Sequence, residues 1–155
     1  NYGLEMEFDW LLSQQLSFYG SIAYLKTEID KYISPEGYDV SGRDQAHAPS
    51  YQFNIGTIYT FNQHWSTQLE VEGKDEFYFS NRHDEKSDSF QVINASVSYQ
   101  QKNWLLKLWG RNLANKDHQT RGFGFANDPR NNYSSGGYQQ LGEPRVVGVT
   151  ASYRY

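Results

Sequence analysis

The sequence predicts an all-β fold built from the antiparallel, up-and-down strands of a transmembrane β-barrel. Three observations favour this fold. Segments of strand length alternate apolar and polar residues, the connections between them alternate between short and long, and aromatic residues mark the strand ends beside the short connections. A period of two gives a strand two different faces. Strands that span a bilayer need ~9–11 residues, and barrels have short turns at one end and long loops at the other.

The composition agrees with such strands. The chain has 155 residues, enough for one domain, and 17% of them are aromatic. Mean hydropathy is -0.81, because single apolar residues are scattered among polar ones, which suits strands with one apolar and one hydrated face. No apolar run approaches the ~20 residues of a membrane-spanning helix. Asn1 begins beside a strand pattern without a signal peptide, as a processed or excised fragment would.

Charge and cysteine content exclude several classes of partner and site. The net charge is -4, and no basic stripe is present that could neutralise phosphates, so we expect no nucleic-acid partner. The absence of cysteine excludes a disulfide framework and any cysteine metal site or nucleophile.

The first predicted strand is the clearest. From Leu4 to Trp10 apolar and acidic residues alternate strictly. On a helix the three carboxylates of Glu5, Glu7 and Asp9 would spread around the axis, whereas on a strand they form one row. We interpret this row as the lining of the barrel lumen in preference to a metal site or an acid–base pair.

Six further strands follow, and their connections alternate in length. The predicted strands are Leu16 to Ile29, Tyr51 to Phe61, a strand that starts at Trp65, Ile93 to Tyr99, Trp104 to Leu113, and Arg145 to Tyr155. Residues 12–15, 62–64 and 100–103 are short turns, and residues 30–48, 80–88 and 117–143 are long polar loops, the last expected to be irregular. The segment from Trp104 is less regular because both of its faces carry apolar residues. Aromatic residues that would form an interfacial girdle are Trp10, Phe61, Trp65, Tyr99, Trp104 and Tyr155.

A soluble β-sandwich or small lipocalin-like barrel remains open as an alternative. It would also alternate, but it would turn its apolar face inward and have loops of mixed length. The regular asymmetry of the loops and the positions of the aromatic residues favour the membrane barrel.

Two C-terminal segments resemble a known family. Pro144 to Tyr155 resembles the closing strand of TonB-dependent outer-membrane receptors, which commonly combine a Pro-Arg pair, an alternating strand and a terminal aromatic residue. Arg111 to Lys116 resembles the exit of that family's penultimate strand, with Ala114 in place of the usual aromatic residue. Tyr2 to Glu5 and the Ala48-Pro49 pair are also similar to the family's barrel, so the resemblance covers essentially the whole chain.

The resemblance implies a barrel of about 22 strands closed around a plug domain. Residues 1–155 would then be a C-terminal segment of about seven strands, roughly the last third of the barrel, and the plug domain would be absent from this chain. Alone, such a segment would leave two unpaired edges, which a bilayer does not tolerate.

No motif in the chain supports catalysis. The four histidines, His47, His64, His83 and His118, lack metal-ligand spacing. Gly122 to Gly124 lacks the strand–turn–helix context of a phosphate-binding loop. We therefore expect no enzyme, no metal site and no cofactor.

Recognition of a small molecule is the better hypothesis. Arginine and aromatic side chains in the predicted extracellular loops could hold an anionic, partly aromatic ligand such as a ferric siderophore by charge-assisted hydrogen bonds and stacking. The candidate ligand-binding residues are Tyr32, Tyr38, Arg43, His47, Arg82, His83, Arg121, Phe123, Arg130 and Tyr133.

The resemblance implies a receptor in the bacterial outer membrane. It would contact membrane lipid and take up a scarce nutrient, with a ferric siderophore as the favoured ligand, using energy from the TonB complex through the missing plug. Two alternatives stay open: a self-contained structural, adhesive or porin-like outer-membrane barrel, and a soluble ligand-binding β-domain.

Overall fold

Seven of the strands form one antiparallel sheet. The structure, a computed structural model, describes residues 1–35, 37–126, 128–134 and 136–155. The strand order in the sheet is β1-β2-β3-β4-β5-β6-β9, so that each strand lies beside its neighbour in the chain until β6, and β7 and β8 form a separate hairpin. The bounds are β1 Tyr2–Leu11, β2 Leu16–Lys26, β3 Tyr51–Thr60, β4 Trp65–Lys74, β5 Phe90–Gln101, β6 Trp104–Arg111, β7 Gln119–Phe125, β8 Gly136–Leu141 and β9 Val146–Tyr153.

The register gathers the apolar side chains on one face of the sheet, which we call the apolar face. One row across it runs from Leu69 on β4 through Ala95 and Gly110 to Val147 on β9. These side chains are not covered: Val149, for example, keeps 72% of its exposure. A face of this kind is stable against lipid, or against another apolar layer.

Aromatic residues cluster on this face beside the short turns. The ring centroids of Trp65 and Tyr99 are 4.8 Å apart, and those of Trp104 and Tyr153 are 4.9 Å apart. The two residues of each pair face each other across neighbouring strands, and both pairs lie at the same end of the sheet, where they form an aromatic belt.

Polar side chains lie on the opposite face and bond to one another across strands. The Tyr19 hydroxyl donates to the Glu70 carboxylate at 2.9 Å and accepts from the Gln68 amide. Asn94 donates to Glu70 and to Glu72, both at 3.3 Å. The acidic row of β1 shares this polar face, since its residues alternate with the apolar ones.

Trp109 accounts for part of the apolar character of β6 on the polar side of the sheet. It lies on the polar face, where its ring covers Gly148 of β9 so closely that a Cβ there would come 2.7 Å from Cε2. Its indole Nε1 donates to the Thr150 hydroxyl at 3.1 Å. An aromatic ring over a strand glycine thus supplies the packing that glycine lacks.

The chain leaves β6 through a tight turn built on Asn112. This residue has a left-handed backbone with φ of 46°, which asparagine tolerates. Its side chain is 3% exposed, accepts from the Lys116 N–H at 2.8 Å, and donates to the carbonyl oxygens of Lys116 and Glu143, each at 2.9 Å. The turn fixes both ends of the long connection from β6 to β9.

The seven-stranded arrangement and the alternation of short and long connections are confirmed. Several expectations were wrong in detail. The second strand ends at Lys26, not at Ile29, and the sixth ends at Arg111, not at Leu113. The fifth strand runs from Phe90 to Gln101 and is longer than the predicted Ile93 to Tyr99. Residues 117–143 are not irregular throughout, because they contain β7, β8 and a short 3-10 helix at Pro129–Asn131. Within the described residues, no helix is both long and apolar enough to cross a membrane.

Candidate functional site

Three long loops meet at the end of the sheet opposite the aromatic belt. We call residues 27–50 the first loop, residues 75–89 the second loop and residues 112–145, which hold the β7–β8 hairpin, the third loop. The buried hydrophobic side chains among the described residues are Val40, Phe77, Phe79 and Val92. Three of these four lie in the loops, so the best-packed core of the chain is in the loop cluster and not in the sheet.

Backbone and side-chain hydrogen bonds join the first loop to the second. His47 N–H donates to the Tyr78 carbonyl at 2.9 Å, and Ala46 N–H donates to the Asn81 side chain at 3.0 Å. The Arg43 guanidinium reaches from the first loop to the carbonyl oxygens of Ser80 and His83 at 2.7 and 3.0 Å. These bonds hold the two loops as one unit.

The hairpin of the third loop packs on the second loop through glycines. Gly122 lies directly against the ring of Phe79, and Gly137 lies against the carboxylate of Glu85. Asp88 N–H donates to the Gln119 side chain at 3.1 Å. Because glycine has no side chain, the hairpin backbone can approach the second loop closely enough to bury Phe79, which is 3% exposed.

A pocket of about 450 Å³ lies where the three loops meet. Its charged and polar lining includes two arginines and a histidine, and its apolar lining comes from aromatic rings. The lining residues are Tyr38, Phe79, Ser80, Arg82, His83, Arg121, Gly122, Phe123 and Gly124. Five of them, Tyr38, Arg82, His83, Arg121 and Phe123, are residues that the sequence predicts to bind ligand. The fold therefore brings together residues from positions far apart in the chain.

The imidazole of His83 is a distinctive feature of the pocket. Both of its ring nitrogens are buried and have no hydrogen-bond partner among the described residues. The ring packs beside Gly124, where a Cβ would come 3.6 Å from Cδ2. A buried polar group without a partner is costly in a folded protein, which makes a ligand atom or a water at this wall favourable.

Near-parallel aromatic rings continue from the pocket along the hairpin. Phe123 and Phe125 are inclined by 3° with centroids 5.5 Å apart, and Phe125 and Tyr138 are inclined by 12° at 4.6 Å. Arg121 alternates onto the same face of β7, while Gly122 and Gly124 face the second loop. The hairpin thus presents three rings and a guanidinium on one face, of which Arg121 and Phe123 line the pocket.

The other five predicted residues lie outside the pocket lining. Tyr32 and Tyr133 are exposed, and His47 is exposed with a left-handed backbone and its ring 5.4 Å from Phe77. Arg43 is largely buried between two loops, with 9% of its side chain exposed. Arg130 forms hydrogen bonds with the Asp128 carboxylate, the shortest at 2.7 Å. Their contact with a ligand stays a prediction.

Two of the charged pairs in the loops join residues close in the chain. The hydrogen bonds from the Arg130 side chain and backbone lower the pKa of Asp128 below its usual value, and the same contact raises the pKa of Arg130. The hydrogen bond to Glu76, 2.8 Å long, raises the pKa of Lys86. No group of three or more His, Asp or Glu side chains in the described part of the chain could hold a metal ion.

Several pocket residues were missed from the sequence. Phe79, Ser80, Gly122 and Gly124 line the pocket. Tyr138 stacks with Phe123 and Phe125, and we call these three rings the ring cluster. A signal existed for Phe79, because Phe77 and Phe79 are two apolar residues at a spacing of two inside a polar loop. The glycines gave no such signal, since their importance depends on what packs against them.

The sheet, its uncovered apolar face and the loop cluster at one end define a segment of a β-barrel wall. Residues 1–113 match the family model described as TonB dependent receptor-like, beta-barrel, and the chain belongs to this family. TonB-dependent receptor barrels are outer-membrane proteins, and they are receptors and transporters, not enzymes.

Solved structures that share this fold include two siderophore-uptake receptors. The siderophore receptor PiuA from Acinetobacter baumannii superposes with a TM-score of 0.76 at 18% identity, over 96% of this chain and 21% of that one. The ferric yersiniabactin uptake receptor FyuA from Yersinia pestis superposes with a TM-score of 0.78 at 14% identity, over 97% of this chain and 23% of that one. The chain therefore spans about a fifth of the length of these receptors.

Proposed function

We propose that this chain is part of an outer-membrane receptor that takes up a ferric siderophore by TonB-dependent active transport. The observation that carries the proposal is the loop pocket, in which Arg82, His83 and Arg121 lie beside the rings of Tyr38 and Phe123. Guanidinium groups form strong, directed hydrogen bonds with anionic oxygens, and aromatic rings pack against flat organic groups. A chelate with oxygen donors and an organic framework matches both.

The similarity to two siderophore receptors supports the same ligand class. In this proposal, residues 1–155 are a C-terminal segment of a barrel of about 22 strands. The apolar face contacts membrane lipid, the polar face lines the lumen, and the three loops are extracellular. Energy reaches the receptor from the TonB complex through a plug domain outside this chain.

Uptake of radioactive iron tests the proposal in cells that carry the full-length receptor gene, its deletion, or a deletion of the TonB system. A panel of ferric chelates serves as the source. For at least one chelate we expect uptake that requires both the receptor and TonB. Uptake that requires the receptor but not TonB would instead indicate a porin-like barrel. If no chelate depends on the receptor, a structural or adhesive role is favoured.

The ring cluster makes a sharper prediction about the ligand. Ferric tris-benzohydroxamate and ferric tris-acetohydroxamate are both neutral and have the same iron donors, and they differ in the aryl ring. Since an aromatic pair adds about 0.5–1.5 kcal/mol, purified full-length receptor should bind the aryl chelate about two- to tenfold more tightly.

Replacement of Phe123, the ring of this cluster that lines the pocket, by leucine should weaken this preference and leave affinity for the methyl chelate nearly unchanged. Titration calorimetry measures both affinities. Equal affinities for the two chelates in the wild-type receptor would show that the rings do not contact the ligand.

A further inference from the structure

Arg43 is anchored in the first loop but directed into the second. Its carbonyl accepts from the Ile29 N–H at 2.9 Å, which ties its backbone to the beginning of its own loop. Its side chain is largely buried against the second loop, where the guanidinium lies 4.1 Å from the centroid of the Tyr78 ring. The Nε atom is buried without a hydrogen-bond partner among the described residues. Since such burial costs free energy, the remaining contacts must hold the side chain in place.

Most of those remaining contacts are hydrogen bonds to backbone carbonyl groups of two residues, Ser80 and His83, which we call the pocket wall. Nη2 donates to the Ser80 carbonyl at 2.7 Å, and Nη1 donates to the His83 carbonyl at 3.0 Å and to the Asp84 carboxylate. Ser80 and His83 both line the pocket, whereas Arg43 does not. The guanidinium therefore binds the backbone of two residues that line the pocket without lining the pocket itself.

The position of the His83 ring depends on this support. Because neither ring nitrogen has a hydrogen-bond partner among the described residues, the imidazole is placed by its backbone and by packing beside Gly124. We propose that Arg43 is a positioning residue of the loop pocket: it fixes the backbone of Ser80 and His83, and ligand affinity depends on it without direct contact. The affinity part of this proposal rests on the proposed function.

The contacts of Arg43 favour an arginine over a lysine at this position. A planar guanidinium can donate to two carbonyl oxygens at once, whereas a lysine ammonium is a point charge that reaches fewer fixed acceptors. The ion pair with Asp84 contributes less, because that carboxylate is 74% exposed and its attraction is screened by water. The hydrogen bonds to the two carbonyl oxygens are therefore the contacts that position Ser80 and His83.

Chemical modification of His83 measures this positioning directly. Diethyl pyrocarbonate reacts with accessible imidazole nitrogens, and mass spectrometry of the full-length receptor in detergent gives the rate at each histidine. His83 should react slowly in the wild type and about tenfold faster or more in R43Q, because at least one charge-assisted bond is lost. R43K should lie between them, and D84N should resemble the wild type. The exposed His64, in the turn at the opposite end of the sheet, is the internal reference.

K31Q is the matched control, since Lys31 is exposed in the same loop and its loss changes the charge equally. It should leave the rate at His83 unchanged. A wild-type rate at His83 in R43Q overturns the proposal. So does an equal rise in K31Q, which would make the effect one of charge alone.

Two further readouts separate positioning from general stability. Amide exchange in β1 to β6 should be the same in R43Q and the wild type, while affinity for ferric tris-benzohydroxamate should fall about tenfold in R43Q. If His83 becomes reactive but the chelate binds equally well, Arg43 is merely structural and the proposal is overturned. If the wild type binds no ferric chelate, the proposed function is wrong, and the rates at His83 alone decide whether Arg43 fixes the wall.

Discussion

A single methyl group at Gly122 should separate the hairpin of the third loop from the second loop. A Cβ at this position would lie 2.5 Å from Cγ and 2.7 Å from Cε2 of Phe79. Cγ is the atom that joins the ring to its stem, so rotation of the ring cannot relieve the overlap. Phe79 is also enclosed on its other sides, with 3% exposure. The overlap can be relieved if the hairpin moves away.

The size of the effect follows from the packing. Inserting a methyl group into a well-packed core costs about 1–3 kcal/mol. At about 1.4 kcal/mol for each factor of ten, Gly122→Ala should raise the population with an undocked hairpin about 5- to 150-fold. The pocket loses its shape in that population, because Phe79 and Gly122 both line it.

Limited proteolysis of the full-length receptor measures this population. When cleavage is slow relative to reclosing, the cleavage rate within residues 112–145 follows the fraction that is open. Gly124→Ala is the matched control two residues along the same strand, because its nearest neighbour would be His83 Cδ2 at 3.6 Å, an ordinary contact. It should stay within about twofold of the wild type. Equal cleavage of Gly122→Ala and the wild type would refute the argument.

Two other predictions concern the third loop. Asn112→Ala removes three part-buried hydrogen bonds to backbone groups of Lys116 and Glu143. At about 0.5–1.5 kcal/mol for each bond, the free energy of unfolding should fall by about 1.5–4.5 kcal/mol. Urea unfolding followed by tryptophan fluorescence checks this, and an unchanged free energy of unfolding would contradict it. Because Arg130 lowers the pKa of Asp128, their contact is fully formed above the ordinary aspartate pKa and is lost as pH falls through the lowered value. Arg130→Gln should raise the pKa of Asp128 toward its usual value in a titration followed by carboxyl-carbon NMR, and an unchanged pKa would show that another group causes the shift.

The candidate site was only partly accessible to prediction. Arginine and aromatic residues in the long loops pointed to recognition, and half of the ten predicted residues do line one pocket. Arg43 resembles the others in the sequence, yet its guanidinium is occupied by carbonyl oxygens of another loop. Residue type and loop position cannot distinguish a side chain that faces a pocket from one that supports its wall.

The sequence by itself determined the seven strands of the large sheet, their two faces and the alternation of turns and loops. Each of these depends on neighbours a few residues apart, because a strand exposes alternate side chains and a turn needs particular residues locally. Even the irregular pattern of β6 was visible there as apolar residues on both faces.

Only the tertiary structure decided how the loops pack. The hydrogen bonds of Arg43 join residues 37, 40 and 41 positions apart, and the contact of Gly122 with Phe79 joins two different loops. Such contacts leave no periodic trace in the chain, because a glycine or an arginine is compatible with many surroundings until the fold supplies a particular one. The barrel wall follows from local alternation, whereas the pocket at its end follows from long-range packing.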